Sequence, residues 1–393
     1  MFPFGAKILE YIMALLFICG LGVSRLGQRR DKWHFLRMGA EFDRTTVPIY
    51  ESAARGKCVP LLKTLLTTNC KNECAYCTFR TGRNTPRMTW EPKQLADITM
   101  HLWKERKISG LFLSSSVSQD PDSVTESQLE VLRLLRGRGF LGYIHLRLMP
   151  GINSHYIAEA VELADRIGVN IEAPNKDIFD ELCPNKGGFK EDILKRLDWV
   201  INEVRNTGRK ARENRCGFAR SGIDTQMIVG AVHDNDWEYL QMSEWLYKTQ
   251  GLKRVYYSGF EPIEHTPLEN HAPCPPKREY RLYQCSFLLR DYGFKTDSFA
   301  PIVNEEGILP NTDPKLALAQ AHRDMFPIDL NEASYYEILR IPRIGPITAK
   351  RIMGVRENIK VRRSEDLEKI IGANLTRKIS PYVELKDKRL TDF

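Results

Sequence analysis

The sequence predicts an α/β fold, a (β/α)6 partial TIM-type barrel followed by a small all-α domain. Three observations predict it. After about residue 45, short apolar runs alternate with amphipathic stretches of helix length. Each of the six runs is followed by a helical stretch, which implies parallel pairing with right-handed crossovers. Past residue 327 this alternation gives way to short helices with glycine-bearing turns. An open doubly wound sheet is the second architecture the alternation allows.

The strand candidates, in order, are 61–67 (LLKTLLT), 111–117 (LFLSSSV), 143–149 (YIHLRLM), 169–173 (VNIEA), 225–231 (TQMIVGA) and 254–260 (RVYYSGF). Helices are predicted over 92–107, 122–137, 154–166, 190–213, 236–249 and 277–292. Pro92 suits a first helical turn, where a missing N–H costs nothing. In YIHLRLM, Ile144, Leu146 and Leu148 form one face and Tyr143, His145 and Arg147 the other. In VNIEA, Asn170 and Glu172 face away from Val169 and Ile171. Apolar residues toward outer helices and polar ones inward suit an enclosed site. Polar side chains that merely satisfy one another fit the same pattern.

Domain boundaries are read as 1–44 for an N-terminal extension, 45–298 for the barrel, 299–326 for a proline-bearing linker and 327–393 for the helical domain. The chain has 393 residues, 42% hydrophobic and 27% charged, which excludes a disordered tail or a collagen-like fibre. The net charge of +8 permits contact with phosphates. Nine cysteines in a chain of this length do not form a secreted disulfide framework, so a reducing, cytoplasmic setting is expected. Residues 8–23 are apolar, but the run falls short of the roughly 20 residues of a spanning helix and contains Glu10, so membrane attachment is not expected. A start at Met38 is an alternative account of that segment.

The sharpest chemical signal is TTNCKNECAYCTF, in which Cys70, Cys74 and Cys77 form C-x3-C-x2-C just after the first strand candidate. Three thiolates so close can hold three irons of a [4Fe-4S] cube and leave the fourth iron open to a ligand. Zinc competes for such residues, although structural zinc sites use four protein ligands, commonly in paired knuckles. Cys183, Cys216, Cys274 and Cys285 lack metal-type spacing. They are either buried small hydrophobes or an auxiliary cluster that converges in space.

With Tyr76 in its aromatic position, this segment resembles the radical S-adenosylmethionine (radical SAM) superfamily, whose signature is C-x3-C-x-aromatic-C. The resemblance implies a [4Fe-4S] cluster whose open iron binds S-adenosylmethionine, and a 5′-deoxyadenosyl radical that takes a hydrogen atom from substrate. It also implies an electron-donor protein as partner. It further places cofactor contacts at Ser114, Ser115 and Ser116, where the family often has a GGE-like patch, and at Asn170 and Glu172 for the ribose. Ile228 and Gly230, in MIVGA, take the place of an apolar–glycine element beside the adenine.

The tail contains IPRIGPITAKRI and resembles the helix-hairpin-helix motif, P-G-I-G-x-x-x-A-x-x-I, which binds nucleic-acid phosphate at a helix N-terminus. Either Asn331 or Ser334 can cap the helix ahead of it. The implied contacts are Arg343, Ile344, Gly345, Thr348, Lys350 and Arg351, with Arg356 nearby. Arg343 stands where the motif has its first glycine, which puts the turn in question. A weaker second hairpin follows at LEKIIGANLTRKISPYV.

Taken together, VPLLKTLLTTNCKNECAYC, ISGLFLSSSV, GYIHLRLMPG, VNIEAPN, TQMIVGA, LKRVYYSGF and the tail resemble a family of radical SAM proteins assigned to DNA modification or repair. That family is associated with uracil-DNA-glycosylase-like partners. The resemblance implies radical chemistry on nucleic acid, DNA before RNA. The alternatives are radical modification of a protein partner, with the tail as docking module, and a non-radical DNA-binding iron–sulfur protein.

Overall fold

The computed structural model describes residues 49–54, 57–208 and 210–385. The apolar stretch 8–23, Cys19 and Met38 lie outside the described residues. Strands β1 (Ile49–Ala54) and β2 (Lys57–Leu65) pair antiparallel. From β2 onward the strands run parallel: β3 (Gly110–Ser114), β4 (Tyr143–Leu148), β5 (Arg166–Val169), β6 (Ile223–Val229) and β7 (Arg254–Gly259). They pair in sequence order, so six parallel strands form a half-barrel. Strand β1 was not anticipated, because Glu51 and Ser52 break any apolar run there.

The crossover helices are α1 (Pro92–Lys104), α2 (Pro121–Gly137), α3 (His155–Leu163) and α4 (Lys176–Leu182), then α5 (Lys195–Asn206), α6 (Lys210–Glu213), α7 (Asp236–Lys248) and α8 (Pro276–Asp291). Their starts are chemically marked. Proline occupies the first turn of α1, α2 and α8, and Asp120, Asn175 and Asn235 cap α2, α4 and α7 by accepting backbone N–H groups. The expected helix over 190–213 is divided. A wide turn over Phe189–Leu194 leads into α5, which stops before Thr207 and Gly208. The fourth parallel strand also begins earlier than expected, at Arg166, and ends at Val169.

The outward strand face supplies the core: Leu111, Leu113, Ile144, Leu146, Ile167 and Val169 are fully buried. They pack with Leu129, Leu132 and Leu135 of α2. Each such side chain contributes about 1.5–3 kcal/mol by leaving water. Phe299, Leu309 and Leu318 join the same core; Phe299 lies in a short tight helix and Leu318 in α9 (Pro314–Ala321).

The inner face is polar. His145 and Arg147 of β4 meet Asp224 of β6, with His145 Nε2 at 2.8 Å and Arg147 Nη1 at 2.9 Å from its carboxylate oxygens. Strand β5 lies between them, and it is bare at Gly168. A Cβ there would stand 2.6 Å from Arg147 Nη1 and overlap Asp224.

The tail has its own core of Leu330, Ile338, Leu339, Ile344 and Ile352 among others. Its helices are α10 (Tyr335–Ile338), α11 (Pro346–Arg356), α12 (Ser364–Ile371) and α13 (Ala373–Ile379). Ser334, not Asn331, caps α10, in a reciprocal box with Glu337. Asn331 instead exchanges two hydrogen bonds with the backbone of Val361, each 2.8 Å.

Gly168→Ala forces Arg147 and Asp224 apart and should cost about 3 kcal/mol or more, the range for breaking a buried ion pair. Denaturant unfolding checks it. An unchanged midpoint would show that β5 need not be bare at this position.

Candidate active site

The cysteines sit in the loop that leaves β2, at the C-terminal mouth of the half-barrel, where active sites of such folds are built. The neck of this loop is closed by its own backbone. Thr68 N donates to Met88 O at 2.9 Å and Trp90 N to Leu66 O at 2.8 Å. Two further ties fix it sideways. Lys71 N bonds Val117 O beyond β3, and Ala75 N bonds Leu182 O at the end of α4, each at 2.8 Å. Inside the loop, the Arg87 guanidinium donates to the carbonyls of Thr68, Phe79 and Arg80, all at 2.7 Å. A charged donor satisfying three carbonyls holds an irregular loop in one shape.

Cys70, Cys74 and Cys77 line a cavity of about 220 Å³. Cys74 is buried, and Cys70 and Cys77 are half-buried. The amide of Phe79 points at Cys77 Sγ, 3.4 Å away. Burial pushes the Cys77 thiol up to about 12. A hydrogen bond from the Cys183 thiol holds Cys74 below its ordinary value. Cys183 follows α4 and is thus brought against the motif, although no spacing in the sequence pointed to it. Cys274 packs near Gly230 and Gly259, while Cys285 is in the core of α8.

The other walls carry most of the expected cofactor residues. Tyr76, Ser114, Ser115 and Ser116 line the cavity, as do Asn170, Glu172 and Ile228. Ser115 and Ser116 lie beyond the end of β3 and help hold the loop. Thr67 N donates to Ser115 Oγ at 3.3 Å and Ser116 N to Thr67 O at 3.0 Å. The expected strand over 169–173 ends early because Glu172 takes a left-handed backbone, φ +64°. That turn aims Glu172 at Lys186, whose Nζ is 2.5 Å away. Burial would lower the Lys186 ammonium, but Glu172 and the two neighbouring thiols raise it well above its ordinary value. Asn170 Oδ1 is buried without a hydrogen-bond partner.

Gly230 is not among the lining residues. Its φ of +76° and the Cys274 Cβ only 2.9 Å from where its own would stand account for the glycine by packing. Gly259 of β7 lines the cavity instead. Sequence reasoning also missed Lys63, Phe112, Lys186 and Gln226 as lining residues. Lys63 had a signal, since it is the one charge in LLKTLLT. Lys186 had only its place before the Gly187–Gly188 turn.

The donor set fits an iron–sulfur cluster. Among the described residues no group of three or more His, Cys, Asp or Glu side chains is placed to hold a metal ion. A cube takes one thiolate per iron, and three cysteines line this cavity.

In the tail, Arg343 resolves the question its position raised. It adopts the left-handed conformation itself, φ +68°, at a cost of about 1 kcal/mol for a non-glycine residue. Gly345 has φ −103°, which any residue tolerates. Arg343, Lys350 and Arg351 are exposed and Thr348 is half-buried. Ile344 offers no polar group to a ligand, because its N–H goes to Ile341 O and its carbonyl accepts from Lys315 Nζ. Arg356 is likewise used internally, donating to the carbonyls of Leu330 and Ala333.

Residues 326–383 match the helix-hairpin-helix motif family. Among solved structures the chain is similar to methylornithine synthase PylB, with 17% identity, TM-score 0.43, and coverage of 67% of this chain and 69% of that one. It is similar to the FeFe-hydrogenase maturase HydG from Carboxydothermus hydrogenoformans, with 13% identity, TM-score 0.43 and 81% of each chain covered. A third likeness is to Streptococcus suis SuiB bound to S-adenosylmethionine, with 7% identity and TM-score 0.41 over 58% of this chain and 48% of that one. No curated protein matches the chain by sequence. Among the described residues no helix is long and apolar enough to cross a membrane.

Lys186→Met leaves the Glu172 carboxylate buried and unpaired, which should cost about 3–5 kcal/mol. Adding Glu172→Gln should recover most of that loss. Equilibrium unfolding of the two single variants and the double gives the coupling; strictly additive losses would show that the pair does not interact.

Proposed function

We propose that the chain is an iron–sulfur enzyme of the radical S-adenosylmethionine type that acts on nucleic acid, DNA before RNA, and is served by an electron-donor protein. The supporting observation is the gathering of Cys70, Cys74 and Cys77 at the mouth of the barrel, in one cavity with Ser114–Ser116, Asn170 and Glu172. The three thiols would hold the [4Fe-4S] cluster and the polar residues of the same cavity S-adenosylmethionine. Bound there, these groups supply one-electron cleavage of the cofactor and hydrogen-atom abstraction.

The protein's own share is position, charge and exclusion of water. The tied loop fixes where the thiols stand. Lys186 places positive charge near Cys74 and Cys77, which favours the thiolate form a metal requires. The Phe79 amide donates to Cys77 Sγ, the kind of outer contact that orients a ligand. The hydroxyls of Ser114–Ser116 suit an ammonium group. Lys186 holds Glu172 in one orientation, ready to accept from hydroxyls.

Nucleic acid enters the proposal through the tail. Arg343, Lys350 and Arg351 present exposed cations around the start of α11, a docking mode that reads phosphates and not base sequence. The uracil-DNA-glycosylase-like partner and the cytoplasmic setting belong to the same proposal and rest on the sequence resemblance and the thiol usage.

Anaerobically prepared protein should contain about four irons per chain, and Cys70→Ala, Cys74→Ala and Cys77→Ala should each remove them. Adding S-adenosylmethionine should change the electron paramagnetic resonance spectrum of the reduced cluster. Protein that takes up one zinc and no iron under these conditions overturns the reading. A cluster that ignores S-adenosylmethionine leaves a DNA-binding iron–sulfur protein.

The tail gives a separate test. Arg343→Gly relieves the left-handed strain and removes one charge, so it should melt no lower than the parent yet bind DNA less tightly. Its log–log salt slope on duplex DNA should be shallower by about 0.9, one phosphate contact. Unaltered affinity and slope would exclude Arg343 from the interface. Failure of the full-length protein to bind DNA or RNA at low salt would favour a protein substrate.

A further inference from the structure

Helix α8 buries one side and leaves aromatic rings in water on the other. Leu282, Cys285, Leu288 and Leu289 are buried, whereas Tyr280 is 58% and Phe287 41% exposed. Placed at i and i+7, the two rings share one face of the helix. Cations are interleaved with them. Arg281 Cζ stands 5.5 Å from the Tyr280 centroid, and Arg254 and Arg290 stand 5.4 and 4.9 Å from that of Phe287. Lys277, one turn before Tyr280, is exposed. Asp291 pairs with Arg290 at 2.6 Å, and Asp313 accepts from Gln284 at 3.2 Å. The Arg281 guanidinium instead meets neutral acceptors, the Asn311 carbonyl and Gln284 Oε1, each at 2.6 Å. Burial, and after it the Arg290 charge, hold the Arg254 guanidinium below its ordinary value.

This face joins the two sites. At the start of α8, Glu279 Oε2 accepts from the amide of Gly259, 3.3 Å away, and Gly259 lines the cysteine cavity. Near its end, Arg290 Nη1 donates to the Lys253 carbonyl just before β7, at 3.2 Å. The helix therefore runs back along β7 from the cavity end of the barrel to the opposite end, and its 16 residues span about 24 Å. The tail lies at that far end. The Tyr336 ring, 56% exposed, is 2.8 Å from where a Cβ of Gly293 would stand. The Tyr292 hydroxyl is 3.5 Å from the corresponding point on Gly345, in the hairpin turn.

We propose that the outer face of α8 binds a single nucleic-acid strand and leads it from the hairpin toward the cavity, with bases stacked on Tyr280 and Phe287 and phosphates on Lys277 and Arg281. Rings alternating with guanidinium groups suit a strand that offers flat bases and a regular anionic backbone. Paired bases already stack on one another, so an exposed ring takes an unpaired one. An apolar protein face laid here would strip water from the guanidinium groups without replacing it. The proposal rests on the nucleic-acid reading of the tail and adds which form of nucleic acid reaches the barrel.

The test is fluorescence anisotropy of anaerobically purified full-length protein with three labelled DNAs of mixed sequence: a single strand, a blunt duplex, and a duplex with a single-stranded overhang. Tyr280→Ala and Phe287→Ala should each weaken binding of the single strand and the overhang by about fivefold or more, the worth of one stacked base, and change blunt-duplex affinity by less than about twofold. Tyr280→Trp should match the parent, whereas Tyr280→Leu, apolar but unable to stack, should behave as the alanine variant. Lys277→Gln should flatten the single-strand log–log salt slope by about 0.7. Both rings are exposed, so these variants should melt with the parent, which thermal unfolding checks. Folded alanine variants that hold the single strand as tightly as the parent, or that lose single strand and duplex alike, overturn the track. A parent that binds duplex but no single strand also overturns it and leaves the tail's reading standing. A parent that binds neither removes both.

Discussion

The barrel interior depends on one buried carboxylate. Asp224 is fully buried on β6 and draws Arg147 and His145 across from β4. Burial by itself would raise its carboxyl, but the charges of Arg147, His145 and Arg166 hold it below the ordinary value. Burial pushes His145 down to about 4 in spite of the carboxylate beside it. At neutral pH the carboxylate is therefore paired with the Arg147 guanidinium, with Arg166 adding a second positive charge and a neutral imidazole completing the contact. Without the carboxylate, Arg147 would be an uncompensated ion inside the sheet, which is far costlier than the pair. The pair in turn requires a strand with no side chain between its partners, which explains why Gly168 stands between Ile167 and Val169 in β5.

This interior sets the two ends of the cavity apart chemically. Arg147 turns from Asp224 to stand between Phe112 and Tyr256, with centroids at 5.9 and 5.7 Å, so the deep end is cationic and aromatic. The mouth is instead made of thiols and hydroxyls on irregular backbone. Irregular backbone needs its own hydrogen-bond partners, and the chain provides them. Arg87 serves three carbonyls within the loop, and the exits of β3 and α4 serve the outer turns. The thiols are placed by these ties, and ligands held by a tied backbone are the condition for precise positioning.

Much of this was legible in the sequence, and the losses have physical reasons. The six parallel strands were legible because a strand buried on its outer face repeats apolar residues at a period of two, as Ile144, Leu146 and Leu148 do. The cysteine loop was legible because its three ligands are local. Contacts made by distant residues were not. Cys183 meets Cys74, and Lys186 meets Glu172, only because α4 folds back onto the mouth. Glu172 was named for its position in an alternating strand, yet a left-handed turn that no residue preference predicts is what directs it. Gly230 was named for its place in MIVGA by the resemblance, and in the structure it packs against Cys274. At Arg343 the residue type argued against the turn, and the surrounding tail core imposed the turn regardless.

The same distinction governs how the tail relates to the barrel. Read as a sequence, residues 299–326 form a proline-bearing linker. Within that linker Phe299, Leu309 and Leu318 are buried in the barrel core, and the connection continues as packed contacts. Tyr292, at the end of α8, packs against both cores. Lys315 of α9 lies over its ring at 4.9 Å and donates to the Ile344 carbonyl inside the hairpin turn. Arg340 places its guanidinium 5.6 Å from the Phe294 ring. A lysine buried this deeply has its ammonium lowered to about 7 by loss of water. It is held there by the carbonyl and the aromatic face, partners that would be lost if the tail swung away. These contacts fix the direction of the hairpin as well as its distance from the barrel. A phosphate backbone held at Arg343 would thus meet the barrel at a set angle, which a catalytic cavity can use and a flexible docking arm cannot supply.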